Sequence, residues 1–275
     1  MSRLGRGLEG VKPLAFCGRE RILLLSLVPA LVGVVATVVL AAGAVAARAL
    51  TAVAGAVAAA FGSLIVVVAG FPYLALLILF VFGSVLATRY HMDEKRRRNV
   101  QEGTHGERGV ANVVAHIIVP TGLAVTALAV PPLIPLPTLA LLYSSALAFG
   151  ASDTFASEFG VLAGRARSIL SFRSVEPGTN GGISGLGEAL ALVGALTTAV
   201  LGWAVFALFG PAVPDVVRYL VVVTVAGFLG CQVDSVLGET LENRHLLTKH
   251  STNLLGMLSA VAIAAAIVFA VGGVG

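Results

Sequence analysis

ILLLSLVPALVGVVATVVLAAGAVAA, residues 22–47, runs for twenty-six positions without an ionisable side chain. About 20 apolar residues in a helix cross the hydrocarbon core of a bilayer, so this run is long enough to span. The apolar character continues almost uninterrupted. Between residues 22 and 89 only Arg48 and the Phe71-Pro72 pair punctuate the sequence. Further runs of spanning length lie at 50–69, 71–89, 109–130, 136–154, 185–209, 216–234 and 252–272. The first boundary is soft, which leaves two or three spans before residue 89 and about seven to eight in the chain.

Composition agrees. The 275 residues are 57% hydrophobic and 12% charged, with a mean hydropathy of +0.97. A soluble domain carries about 25% charged residues. Val, Ala, Leu and Gly dominate without two-residue alternation, which argues against a β-barrel. The predicted fold is an all-α polytopic transmembrane helical bundle. Residues 1–21 form a basic N-terminal segment and residues 22–275 a single membrane domain. The first apolar run begins late, at Ile22, and is too long for a cleavable leader. Cys17 and Cys231 have no metal-binding spacing, and Cys231 reads as a small packing residue.

The loops carry the positive charge, +4 net. Arg89, Lys95, Arg96, Arg97, Arg98 and Arg108 fall in one connection, Arg165, Arg167 and Arg173 in a second, Arg244 and Lys249 in a third. With these spans all three lie on one side, which the positive-inside rule makes cytoplasmic. Connections 131–135 and 210–215 carry no Lys or Arg. The N-terminal Arg3, Arg6, Lys12, Arg19 and Arg21 pull the other way if three spans precede residue 89. No basic-aromatic patch points to nucleic acid.

Two acidic segments sit at helix ends on that basic side: Asp153-Thr154-Phe155-Ala156-Ser157-Glu158 and Asp234-Ser235-Val236-Leu237-Gly238-Glu239. Both read Asp, Ser or Thr, three residues, Glu. Carboxylates are costly near a bilayer and mark sites by default. The two copies suggest a parallel repeat of two hairpins in the C-terminal half. Asp153 and Glu158 are about 140° apart on a helix and do not share a face. Such oxygen ligands suit Mg²⁺, which takes one or two carboxylates with water and phosphates. Solvated helix-end charges are the plainer alternative.

Pro177-Gly178-Thr179-Asn180-Gly181-Gly182 opens the next span. Glycines let backbone N–H groups converge, and a helix start favours anions, which predicts a phosphate cradle. The plainer alternative is a turn with Thr179 or Asn180 as N-cap. No Gly-Lys-Ser/Thr comes after it, so this is not a P-loop. Glu188, just inside the helix, either complements the dipole or binds metal. Arg108, Asn112 and His116 are spaced i, i+4, i+8 and line one helix face at the same side. Asn243 and Asn253 flank the last loop and suit either substrate or helix ends.

Together these segments resemble the polytopic family that includes transmembrane protein nineteen and the plant phytyl-phosphate kinase. The resemblance covers roughly residues 50–272. It rests on Arg108 and Asn112, on Ala151 to Gly160 with Asp153 and Glu158, on Pro177 to Gly182, on Gly230 to Gly238 with Asp234 and Ser235, and on Asn253. Two positions depart from it: His116 stands where the family pattern has Asn, and Glu239 where Ala is common. The resemblance implies transfer of the γ-phosphoryl group of a nucleoside triphosphate, CTP, to a polyprenyl monophosphate of phytyl or geranylgeranyl type. Arg108, Asn112, Asp153, Glu158 and Asp234 would be catalytic, with Mg²⁺ on Asp153, Glu158 and Asp234. Gly178, Thr179, Asn180, Gly181, Gly182, Ser235 and Asn253 would hold the phosphates. Two other readings fit the same residues: an isoprenoid-phosphate or small-anion transporter, and a CTP-dependent lipid cytidylyltransferase.

Overall fold

A computed structural model of the chain describes residues 14–103, 106–129, 133–210 and 215–271. Arg3, Arg6 and Lys12 lie outside the described residues, as do residues 131–132 and 211–214 of the two charge-free connections and the side chains of Cys17, Arg19 and Arg21. Three helices precede residue 89: α1 (Leu14–Ala46), α2 (Ala52–Ala69) and α3 (Phe71–Arg89). The soft boundary is therefore a real break. Thr51 caps α2 by accepting from Ala54 N at 3.3 Å. Pro72 sits in the first turn of α3, where it displaces no helical hydrogen bond.

A short helix α4 (Met92–Arg97) comes next, then α5 (Val110–Val125), extended by a 3₁₀ turn at Thr126–Leu128. The remaining helices are α6 (Leu136–Gly160), α7 (Gly185–Phe209), α8 (Val216–Leu237) and α9 (Lys249–Ala270). Strands β1 (Ala166–Ser168), β2 (Ser174–Val175) and β3 (Gly182–Ile183) form a small antiparallel sheet in the order β2-β1-β3 within the α6–α7 connection. Among the described residues seven helices are long and apolar enough to cross a membrane, and the chain is a polytopic helical bundle. α6 is not one of the seven.

α6 falls outside that set because it carries Ser144, Ser145, Ser152 and Asp153 where a lipid-facing helix would be apolar. It can do so because it does not face lipid: Leu139 to Ser152 is one unbroken buried stretch. α3, α5, α7, α8 and α9 all pack around it. Small residues bring the neighbours in. A Cβ added at Gly194 would stand 2.8 Å from Ala151 O, and one at Gly227 2.6 Å from Ala148 Cβ, the close approach that glycine permits between membrane helices. The buried hydroxyls of α6 are satisfied: Ser145 Oγ donates to Leu141 O at 2.9 Å, Ser152 Oγ to Ala191 O at 2.7 Å and Tyr143 OH to Tyr73 O at 2.9 Å. Exposed Leu31, Val35, Val39, Leu196 and Phe269 lie on the outer, lipid-facing surface.

The three basic connections meet at one end of the bundle. Arg98 Nη1 donates to Val161 O at 3.1 Å, Lys249 Nζ lies 2.8 Å from Glu102 Oε2, and Asn180 Nδ2 donates to Glu242 Oε1 at 3.0 Å. The α1–α2 turn joins them, with Arg108 N donating to Ala49 O at 2.9 Å and Thr51 N to Arg108 O at 3.1 Å.

Candidate functional site

At that end the helices part around a cavity of about 340 Å³. α6 contributes Asp153, α8 Asp234 and Ser235, and α9 Lys249 and Asn253, while Gly178 to Gly182 and residues 99–102 form its outer walls. Two carboxylates and the glycine loop, widely separated in sequence, thus share one space.

Asn253 is buried and donates from Nδ2 to Asp153 Oδ2 at 3.3 Å, which orients that carboxylate from the neighbouring helix. Asp234 Oδ1 is buried with no hydrogen-bond partner. A Cβ on Gly256 would stand 3.1 Å from Asp234 Cβ, so α9 presses close behind this side chain. Glu188, also on the wall, accepts from Gln232 Nε2 at 2.8 Å.

Glu158 is placed differently from the expected metal set. Its Oε1 accepts from Thr88 Oγ1 at 2.6 Å and its Oε2 meets Lys95 Nζ at 2.7 Å. Lys95 is fully buried and donates further to Ala87 O at 2.9 Å and Thr88 O at 3.2 Å. With both oxygens engaged, Glu158 borders the cavity as one end of a buried ion pair. Among the described residues no three His, Cys, Asp or Glu side chains stand together as a metal cage. What remains is the pair Asp153 and Asp234. An orphaned carboxylate oxygen beside a roomy polar cavity fits Mg²⁺, which retains waters and substrate phosphates.

Arg108 and Asn112 stand behind the cavity. Arg108 Nη2 donates to Thr88 Oγ1 at 3.3 Å, extending the Lys95–Glu158 network. Burial draws the Arg108 guanidinium below its usual range, with Glu158, Glu102 and Asp153 opposing. Asn112 Nδ2 is 3.5 Å from Glu102 Oε1, and Glu102 lines the cavity. His116 Nδ1 is 2.9 Å from Asn112 O. A carbonyl only accepts, so the neutral ring carries its proton on Nδ1. Nε2 then carries the lone pair, lies 3.9 Å from Asp153 Oδ2 and has no hydrogen-bond partner.

The glycine loop is shaped by what it packs on. Gly181 has φ +74°, and a Cβ there would collide with Glu239 Cβ and lie 2.9 Å from its Cα. Only glycine satisfies both demands. Glu239 in turn accepts from Ser168 Oγ at 2.6 Å and Leu170 N at 3.2 Å, pinning the loop around β1 onto the π turn Gly238–Glu242. That gives the Glu239 departure a structural role. The N-cap of α7 is Ser184, whose Oγ accepts from Gly187 N at 3.0 Å; neither Thr179 nor Asn180 serves. Thr179 Oγ1 donates to Glu176 O at 2.8 Å instead.

Lys95, Glu102, Gln232 and Lys249 were not marked by the sequence as site residues. Lys95 reads there as one of a run of loop charges. Its partner Glu158 lies 63 positions away, and Lys249 and Glu102 are 147 apart. No local pattern signals such pairs.

Fold and cavity define a polytopic helical membrane protein with a polar, carboxylate-bearing pocket at one end of its bundle. The chain belongs to the integral membrane protein DUF92 family, whose model matches residues 35–261. It is similar to an uncharacterized membrane protein of Methanocaldococcus jannaschii, 29% identical over 198 residues, 72% of this chain and 76% of that one. It is also similar to Protein PGR of Arabidopsis thaliana, 32% identical over 192 residues, 63% of this chain and 66% of that one. An uncharacterized membrane protein of Synechocystis is 31% identical over 195 residues, 70% and 72% of the two chains. No solved structure matches the chain.

Proposed function

We propose that the protein is a membrane-embedded, Mg²⁺-dependent phosphotransferase that moves the γ-phosphoryl group of a nucleoside triphosphate to a polyprenyl monophosphate. The observation that carries this reading is the convergence of Asp153, Asp234, Asn253 and the Gly178–Gly182 loop on one cavity at the bundle end. Phosphoryl transfer asks little covalent chemistry of a protein. It asks for positioning and for neutralisation of phosphate charge. The acceptor is already an anion, so no strong general base is needed.

Mg²⁺ would supply the charge neutralisation. Asp153 and Asp234 would hold it, and Asn253 would keep Asp153 in place. The glycine loop would line the donor phosphates. An oxygen of the lipid phosphate forms the new P–O bond to the γ-phosphorus as the bond to the β-phosphate oxygen breaks, and the nucleoside diphosphate leaves. The family resemblance supports CTP as donor and a phytyl- or geranylgeranyl-like acceptor. The gathered basic loops support a cytoplasmic position for the site. A transport site lies near the bilayer midplane, whereas this cavity lies where α6, α7, α8 and α9 end or begin, which favours the enzyme.

The test is purified protein with Mg²⁺, CTP or ATP labelled at the γ-phosphorus or in the base, and phytyl and geranylgeranyl monophosphates, with products resolved by mass. The proposal expects γ-label in a lipid diphosphate and release of nucleoside diphosphate. Base label in the lipid with pyrophosphate release would establish the cytidylyltransferase. No chemistry, but driven uptake of the lipid phosphate into proteoliposomes, would establish the transporter.

A further inference from the structure

The described residues lining the cavity include the carboxylates Glu102, Asp153, Glu158, Glu188, Asp234 and Glu242 but a single basic side chain, Lys249. Such a lining repels a polyphosphate unless cations intervene. Glu158 is matched by Lys95 behind the wall, Glu242 by Asn180 and Glu188 by Gln232. Among the described lining residues Lys249 alone can offer positive charge to a ligand inside. It stands at the start of α9, one turn before Asn253, and its charge acts on both Asp153 and Asp234.

Lys249 is already engaged. Its Nζ lies 2.8 Å from Glu102 Oε2, with side-chain exposures of 53% and 25%. Lys249 is half-exposed, so solvent reaches this pair and screens it, and the ammonium can exchange its partner. Glu102 comes from the 99–102 segment, which lines the cavity. On the other side that segment touches the glycine loop, where a Cβ on Gly178 would lie 3.3 Å from Val100 Cγ1. Left-handed backbone marks its two ends, at Asn99, its first residue, with φ +55° and at Gly103, just beyond it, with φ +56°. A carboxylate is thus held against the one cation among the described lining residues by a strap that also leans on the phosphate loop.

We infer that Lys249 is the side chain that receives a phosphate group in this cavity, and that Glu102 occupies its ammonium until a phosphate displaces it. The ligand class is a phosphate monoester or polyphosphate anion. It comes either from the nucleotide donor or from the lipid acceptor. The inference rests on the phosphotransfer reading for the identity of those ligands, but its sign can be read from binding alone. A phosphate and the Glu102 carboxylate compete for one cation, so removing the cation and removing the competitor must act in opposite directions. A pair that merely staples two loops predicts that both variants loosen the site in the same direction.

The experiment titrates three probes, Mg²⁺-CTP, geranylgeranyl monophosphate and inorganic pyrophosphate, against purified full-length protein in nanodiscs. Lys249→Gln should weaken at least one probe tenfold or more, Lys249→Arg should stay within about threefold of wild type, and Glu102→Gln should tighten the same probe threefold or more. Loss of CTP binding assigns Lys249 to the donor, and loss of the prenyl phosphate assigns it to the acceptor. Equal weakening by Lys249→Gln and Glu102→Gln, no change with either, or no binding of any probe to wild type overturns the inference. Opposite shifts with pyrophosphate but no phosphoryl transfer uphold it and reject the kinase. Turnover and affinity unchanged in Lys249→Gln reject it and leave the kinase standing. Should Lys249→Gln fail to insert, Glu102→Gln decides alone: higher affinity supports the competition, and equal or lower affinity ends it.

Discussion

Lys95 Nζ lies 2.7 Å from Glu158 Oε2, and both side chains are buried. The pair fastens α4, outside the spans, to the end of α6 that carries Asp153. Its cost of desolvation is offset by neighbouring groups: Ala87 O and Thr88 O take the remaining ammonium protons, and Thr88 Oγ1 serves the second carboxylate oxygen. Both oxygens of Glu158 are therefore engaged in a buried pair beside the cavity, and its removal is expected to act differently from the removal of Asp153 or Asp234.

Lys95→Ala leaves a buried carboxylate without its cation, and the expected loss is about 3–5 kcal/mol of stability. Replacing both partners, Lys95→Met with Glu158→Gln, restores much of it because no charge is left unpaired. Thermal unfolding in detergent checks both. A Lys95→Ala protein that melts like wild type would show that the pair adds nothing to stability.

Asp153→Asn and Asp234→Asn each delete a carboxylate from the cavity without altering side-chain volume. Under the proposed phosphotransfer, Mg²⁺-dependent turnover is expected to fall by about a hundredfold or more, since such transfer rests on charge stabilisation, while insertion and melting stay near wild type. Asn253→Ala, which removes the donor at 3.3 Å from Asp153 Oδ2, is expected to raise the Mg²⁺ needed for half-maximal rate by about 10–100-fold. Rates measured across a magnesium titration separate the two effects. Near-native turnover in both Asp variants would make the aspartates structural.

Gly181→Ala places a methyl group against Glu239 at φ +74°. The strain is expected to cost about 1–3 kcal/mol. Glu239→Ala does not relieve it, because the crowding atoms are the Cβ, Cα and N of residue 239. Glu239→Ala by itself releases Ser168 and Leu170, and faster amide exchange in residues 166–171 would register it. A double variant as stable as Glu239→Ala alone would contradict the packing described.

Acid should open the strap that lines the cavity. Burial pushes the Glu102 carboxyl up, but Lys249, Arg108 and His250 together with the Lys249 hydrogen bond outweigh it, so the net shift is downward. A carboxyl lowered in the folded state lends its stability above the ordinary Glu value of about 4.3 and loses it as pH falls through the lowered value. Protease resistance of the 99–103 segment is expected to be flat from neutral pH to about 5 and to fall only below about 4. Glu102→Gln should lack that acid limb. An acid limb that survives in Glu102→Gln would assign it to another group.

The spans are legible in the sequence by itself. Apolar run length and the placement of Lys and Arg are local properties, and a bilayer reads them locally: each helix satisfies its own backbone bonds, and each charged loop stays in water. That logic yields the bundle, the shared side of the basic loops, and Asp153, Asp234 and residues 178–182 as candidates for one polar site. It does not yield the interior. α6 can carry Ser144, Ser145, Ser152 and Asp153 because five helices surround it; the sequence shows that polarity but not which helices cover it. Glu158 repeats the spacing of Glu239, yet one ends in a buried ion pair with Lys95 and the other in a partly buried clasp on Ser168 and Leu170. The outcome depended on which loop folded back over each helix end. Pairs 63 and 147 residues apart, Lys95 with Glu158 and Lys249 with Glu102, exist only once the helices have chosen their neighbours. Side-chain partners are set by packing across the bundle, which local sequence does not record.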